Sequence, residues 1–142
     1  MASDSVEHLL AGRPLHSVTG ASTVAAACHR MREHAVGALA VLDGTRLVGI
    51  LSERDVSLRV IAGHRDPMLT LVREVMTREP RTITAQTSVP DAIRVMLVGG
   101  FRHLPITRGG TVIGMLSLRD IPHRLLTTET RSGGGPAVLA LG

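Results

Sequence analysis

The chain has 142 residues, 44% of them hydrophobic, with one Phe and neither Trp nor Tyr. That length suits one compact domain, or two very small units sharing an aliphatic core. Base stacking on aromatic side chains is poorly supported, because one Phe makes no platform. The lone Cys28 excludes an intramolecular disulfide and fits a reducing compartment. The longest apolar run, Ala35 to Leu42, falls far short of the roughly 20 residues that a membrane span needs. The start Met-Ala-Ser-Asp-Ser has no signal-peptide pattern, so a soluble cytoplasmic protein is expected. The isoelectric point near 11.2 overstates the net charge of +4. All 16 basic residues are Arg, and with Lys and Tyr absent almost nothing loses a proton until Arg does. The arginines are scattered among acids, as in Glu53-Arg54-Asp55, and form no arm that would neutralise several phosphates of a duplex.

In chain order, Pro14–Val18 reads as a short extended segment, and Ser22–His34 as a helix. Val24, Ala27, Cys28 and Met31 stand at i, i+3, i+4 and i+7, on one apolar face. Ala38–Leu42 and Leu47–Leu51 are apolar runs joined by Asp43-Gly44-Thr45-Arg46, a hairpin signal. A second helix is expected from Glu53 to about Ala62, and a connector over Gly63–Leu71. The same order then returns: an extended Pro80–Ile83 and a helix over Thr87–Gly99 that starts at a Ser88/Asp91 capping box. Two runs, His103–Thr107 and Val112–Leu116, flank Arg108-Gly109-Gly110, and a last helix is expected from Leu118 to about Leu126. Shifting the sequence by 65 residues lays Ser22–Val56 on Thr87–Ile121 without a gap, and ten of 35 positions are identical. The chain is a tandem duplication of a β-α-β-β-α unit.

A unit of about 50 residues cannot bury enough apolar surface alone. The two copies are therefore expected to pack about a pseudo-twofold axis, with two equivalent clefts between them. The expected division is an extension over 1–12, repeats over 13–62 and 75–126, a connector over 63–74, and a flexible tail over 127–142. The best-preserved block is Gly49-Ile50-Leu51-Ser52-Glu53-Arg54-Asp55, repeated as Gly114-Met115-Leu116-Ser117-Leu118-Arg119-Asp120. One reading is purely structural: Ser caps a helix and Asp completes a capping box. The other is that the Ser hydroxyl and Asp carboxylate, facing a cleft, accept hydrogen bonds from a ribose diol.

The duplicated unit, the two Gly-φ-φ-Ser-x-x-Asp blocks (φ, apolar), Met76-Thr77 and Phe101-Arg102-His103-Leu104-Pro105-Ile106 together resemble a CBS-domain pair, or Bateman module. The resemblance covers about residues 13–125 and is similar to stand-alone bacterial pairs. It implies a mixed α/β (α+β) fold of tandem repeats packed with pseudo-twofold symmetry. It further implies a non-enzymatic sensor that takes an adenosyl ligand (AMP, ADP, ATP, NAD or S-adenosylmethionine), forms a homodimer and acts on an unknown regulated protein. Carried over by position, Ser52 and Asp55 hold ribose in one cleft, Ser117 and Asp120 in the other. Arg102 and His103 are the phosphate contacts. Adenine is read at Leu15, His16 and Ser17 facing the Asp120 cleft, and at Pro80, Arg81 and Thr82, with Thr77, facing the Asp55 cleft. Gly37 and Ala38 stand in the first copy where Arg102 and His103 stand in the second. The Asp120 cleft is therefore expected to prefer phosphate-bearing ligands, unless Arg81 restores such a contact near Asp55.

No catalytic residue emerges. The seven histidines are far apart in sequence, with no His-x-x-x-His pair, so no metal site is expected. Cys28 lies on the apolar stripe of its helix, as an inert thiol would. No Gly-rich phosphate loop with Lys can exist in a chain without Lys. The rival readings are a structural dimerisation or protein-interaction module with empty clefts, and, with less support, a nucleic-acid binder. Homodimerisation is expected through apolar stripes at Val56, Val60 and Ile61, and at Leu118, Ile121 and Leu125.

Overall fold

The computed structural model describes residues 5–126, so the C-terminal tail lies outside the described residues. Its elements are α1 (Glu7–Leu10), β1 (Ser17–Thr19), α2 (Val24–His34), β2 (Ala38–Asp43), β3 (Arg46–Ser52) and α3 (Glu53–Asp55), which runs on as a π-helical stretch over Val56–Ile61. The second half follows with α4 (Val72–Val75), β4 (Thr77–Arg78), β5 (Ile83–Thr84), α5 (Val89–Gly99), β6 (His103–Arg108) and β7 (Thr111–Ser117), then a 3-10 turn over Leu118–Asp120. The expected fold class is observed: mixed helix and sheet in two matching halves.

Each long helix begins where its sequence says. Thr23 Oγ1 accepts the Ala26 N–H at 3.1 Å, and Ser88 Oγ accepts the Asp91 N–H at 3.1 Å. Both hairpins close through residues at positive φ: Gly44 in the first, Gly109 and Gly110 in the second. One four-stranded sheet has the order β1-β2-β3-β4, and a three-stranded sheet has β5-β6-β7. In each, the first strand runs parallel to the second and the second antiparallel to the third. Both hairpins carry a register irregularity at the matching place, between Val41 and Leu42 and between Ile106 and Thr107.

The halves are interlocked by their leading helices. The start of α4 stands 65 residues after that of α1, yet each packs on the opposite half. Val6 and Leu10 join the core of Ile93, Met96, Leu104, Ile106 and Leu116, while Val72, Val75 and Met76 join that of Val24, Met31, Leu39, Val41 and Leu51. The Val6 N–H donates to Thr87 O at 2.8 Å and the Val72 N–H to Ser22 O at 2.8 Å; Glu7 pairs with Arg108. This exchange explains the glycine shared by β3 and β7. A Cβ on Gly49 would lie 2.6 Å from Met76 Sδ and 2.8 Å from Thr77 O, and one on Gly114 would lie 2.7 Å from Leu10 Cδ1.

Two sequence expectations need correction. The helix expected from Leu118 to about Leu126 is broken after Asp120, resuming only over 123–126. Ile121 precedes Pro122 and takes φ −84°, ψ 126°, because the proline ring disfavours helical geometry in the residue before it. The apolar stripes assigned to a dimer surface are partly core: Val60 and Ile121 are buried. Leu58 and Ile61 are the exposed large apolar residues of that first segment.

Candidate functional site

The repeated block forms the same device twice. The Ser52 N–H donates to Asp55 Oδ2 at 2.9 Å and the Asp55 N–H to Ser52 Oγ at 3.1 Å. The Ser117 N–H donates to Asp120 Oδ2 at 2.7 Å and the Arg119 N–H to Ser117 Oγ at 3.3 Å. One oxygen of each carboxylate is thus committed to the helix start, and the structural reading of the block holds. What remains for a ligand is the Oδ1 side, and there the two copies differ.

Asp55 is buried, and its Oδ1 accepts the Thr77 hydroxyl at 3.1 Å. Arg59, one turn further along, places Nη1 3.6 Å from the same oxygen and donates to Val75 O and Met76 O at 3.0 Å each. These groups open onto a cavity of about 670 Å³ that includes Ser52, Pro80, Arg81, Phe101, Arg102 and His103 in its wall. Four arginines line it (Arg54, Arg59, Arg81 and Arg102) against the carboxylates of Glu53, Asp55 and Glu79.

Asp120 instead pairs with Arg13, whose Nη1 lies 2.9 Å from Oδ1. The same guanidinium donates through Nε to Leu10 O at 3.0 Å and through Nη2 to Leu9 O at 2.9 Å. The adjoining cavity is smaller, about 310 Å³, and is lined by His16, His34, Gly37, His103, Ser117 and Arg119 among others. The His16 and His34 rings stack with centroids 4.0 Å apart. Burial, then the neighbouring His34 and Arg30, lower the His16 pKa below the ordinary imidazole value.

His103 and Gly37 form the wall common to both cavities. A Cβ on Gly37 would lie 3.1 Å from Arg119 Nη2 and 3.4 Å from the Glu53 carboxyl, so the wall has no room for a side chain without adjustment. His103 Nε2 is buried and has no hydrogen-bond partner. Burial and Arg119 hold the ring's pKa low against the opposing pull of Glu53 and Asp120.

The placement of the basic dipeptide corrects the sequence reading. Arg102 belongs to the second repeat but lines the Asp55 cavity of the first, not the Asp120 cavity, and His103 touches both. The counterpart of Arg102, Gly37, lines both cavities. Of the residues proposed for adenine, His16 lines the Asp120 cavity, and Pro80, Arg81 and Thr77 line the Asp55 cavity, whereas Leu15, Ser17 and Thr82 line neither. Arg54, Arg59, Arg13 and His34 were not singled out beforehand. Arg54 and Arg119 are identical across the duplication, and Arg59 stands one turn after Asp55, so a signal existed for these. Arg13 and Arg78 are likewise identical at the 65-residue offset, so a signal existed for Arg13 too; none existed for the histidine stack, which joins residues distant in the chain. Among the described residues no group of three or more His, Cys, Asp or Glu is disposed to hold a metal ion. No helix among them is long and apolar enough to cross a membrane.

Two interlocked repeats with a cleft on either side of a pseudo-twofold axis define a tandem-repeat module. The CBS domain model matches residues 6–61 and 72–126, and the chain belongs to the CBS domain family. It is 40% identical over 117 residues to an uncharacterized 17.7 kDa protein of Acidianus ambivalens, covering 81% of this chain and 70% of that one. It spans 22% of the length of a CBS domain-containing protein of Arabidopsis thaliana that it also matches. A putative signal-transduction protein with CBS domains from Burkholderia ambifaria superposes with TM-score 0.78 at 32% identity, covering 87% of this chain and 92% of that one. A CBS domain protein from Pyrobaculum aerophilum, complexed with AMP, gives TM-score 0.79 at 25% identity, covering 90% and 98%.

Proposed function

We propose that this chain is a non-enzymatic sensor of an adenine nucleotide, which binds in the Asp55 cleft and bridges the two repeats. The observation that carries this reading is the cavity that brings the Asp55 carboxylate together with four arginines. A carboxylate accepts the two hydroxyls of a ribose, and guanidinium groups meet phosphate in a planar, charge-assisted fork. The AMP complex of the Pyrobaculum relative supports the ligand class. Because Asp55 belongs to one repeat and Thr77, Arg81 and Arg102 to the other, a bound nucleotide would favour one relative orientation of the halves. That bias would be passed to a regulated protein. A homodimer is part of the reading, with Leu58 and Ile61 (56% and 63% exposed) at its contact; light scattering reporting a monomer at micromolar concentration would remove it.

Thermal unfolding with AMP, ADP, ATP, NAD and S-adenosylmethionine in turn tests the ligand. One of them at a hundred times its dissociation constant adds about 2.7 kcal/mol to stability. A melting temperature unmoved by the whole panel refutes the sensor and favours a structural module with empty clefts.

A further inference from the structure

The two clefts are not equally open, and the difference lies in side chains of the chain itself. We infer that Arg13, with the His16–His34 stack, closes the Asp120 cleft to a ribose, so that the protein takes one nucleotide per chain rather than two. This rests on the nucleotide reading above and adds which cleft is used and what decides it.

The argument begins at the two Oδ1 atoms. On Asp55 the hydrogen-bonded occupant is a threonine hydroxyl, a neutral group that rotates and can itself bond a ribose oxygen, while the Arg59 guanidinium stands off at 3.6 Å and donates to Val75 O and Met76 O. On Asp120 it is a guanidinium at 2.9 Å. Arg13 is held in that place by Leu9 O and Leu10 O, the carbonyls that end α1, so the side chain is already ordered before it meets the carboxylate. A ribose diol brings neutral donors and no charge to replace the one it would expel. The rest of the lining narrows the cleft as well. His16 and His34 stack in its wall, where the positions 65 residues later are Arg81 and Gly99, and beside Gly99 the Phe101 ring takes the place a side chain there would have. The cavity volumes follow: about 310 Å³ beside Asp120 against about 670 Å³ beside Asp55.

Calorimetric titration of the full chain with AMP near neutral pH reads this as stoichiometry. The wild type takes one AMP per chain, Arg13→Ala takes two, and Arg13→Ala/Asp120→Ala returns to one. Arg13→Gln, which keeps most of the stem and a donor for the α1 carbonyls, also takes two, should the shorter variant fold poorly. A wild type that takes two AMP, or Arg13 variants that stay at one, overturns the closure and leaves nucleotide binding standing. Loss of the wild-type site in both Arg13 variants overturns it too, since Arg13 would then hold the ligand. Binding of neither AMP nor any other ligand of the thermal panel by these proteins overturns the nucleotide reading, and the closure with it. A nucleotide-free measurement stands beside these: in His34→Ala the His16 ring titrates at a higher pH by NMR, and an unchanged titration refutes the stack.

Discussion

The Asp55 and Asp120 clefts share one backbone plan and a wall at Gly37 and His103, and differ in side chains around the repeated block. Ser, Arg and Asp of the repeated block are the same in both, and so are the hydrogen bonds from Ser N–H to the carboxylate. Around them, Arg81 is matched by His16, Arg102 by Gly37, and Thr77 by Gly12. The duplication holds two clefts, one of about 670 Å³ lined by four arginines and the other of about 310 Å³ with Arg13 Nη1 2.9 Å from its carboxylate. A repeated motif therefore marks a repeated helix start more reliably than a repeated ligand site.

Removal of the acceptor gives the largest contrast. Asp55→Ala deletes the group that would take both ribose hydroxyls, each such bond to a charged acceptor contributing about 1.5–3 kcal/mol. AMP affinity should fall at least a hundredfold by calorimetry. The same variant loses a helix cap, for about 1 kcal/mol of stability, so a melt must accompany the titration. If Asp120→Ala is the variant that abolishes AMP binding and Asp55→Ala retains it, the assignment of clefts is reversed.

Arg102→Ala sharpens the comparison, because it separates phosphate from ribose. AMP binding should weaken roughly ten- to a hundredfold, the equivalent of about 1.5–3 kcal/mol for one charge-assisted contact. Adenosine, lacking phosphate, should lose less than about threefold. An equal loss for both ligands would mean that Arg102 shapes the cleft without meeting phosphate.

The position of Arg102 also shows where the sequence stopped being informative. The offset of 65, the helix starts and the glycine-containing hairpin turns were legible, since each is a local pattern of a few residues. The carboxylates were legible too, because the duplication displays them twice. Which repeat's basic dipeptide meets which carboxylate is a matter of packing across the pseudo-twofold axis, and no spacing encodes it. The partner of Arg13 escaped for the same reason: the side chain reaches Asp120 across 107 positions of chain. The broken last helix was legible in principle, as Ile121-Pro122 carries its own rule.

A smaller contrast concerns the interlocking helices. Gly49→Ala would set its Cβ against a backbone carbonyl, Thr77 O, as well as Met76 Sδ. Gly114→Ala would meet mainly the end of the Leu10 side chain, which can rotate aside. Overpacking of this kind costs about 1–3 kcal/mol, and Gly49→Ala should lie at the upper end with Gly114→Ala at or below the lower. Urea unfolding of the two variants measures the difference. Equal losses would mean that Leu10 is as rigid as the β4 backbone.

The smallest expected effect is on acid stability, and it comes from the wall that the clefts share. Burial and Arg119 lower the pKa of His103, and burial and His34 lower that of His16, so both rings resist protonation in the folded chain. The unfolded chain takes up those protons near the ordinary histidine value of about 6.5. Above that pH both states are neutral and the rings make no contribution to the slope. As the pH falls below it, the unfolded state binds protons that the native state does not, and stability declines until the depressed native pKa values are reached. Melting temperature should therefore be flat between about pH 7 and 8 and fall below about 6.5. His103→Gln removes one of the two contributions and should shallow the acid limb, while His34→Ala should shallow it by relieving His16. The buried Nε2 without a partner makes His103 the more informative of the pair. If His103→Gln leaves the acid limb as steep as before, the ring takes up its proton as readily in the folded chain as in the unfolded one, and burial does not hold its pKa down.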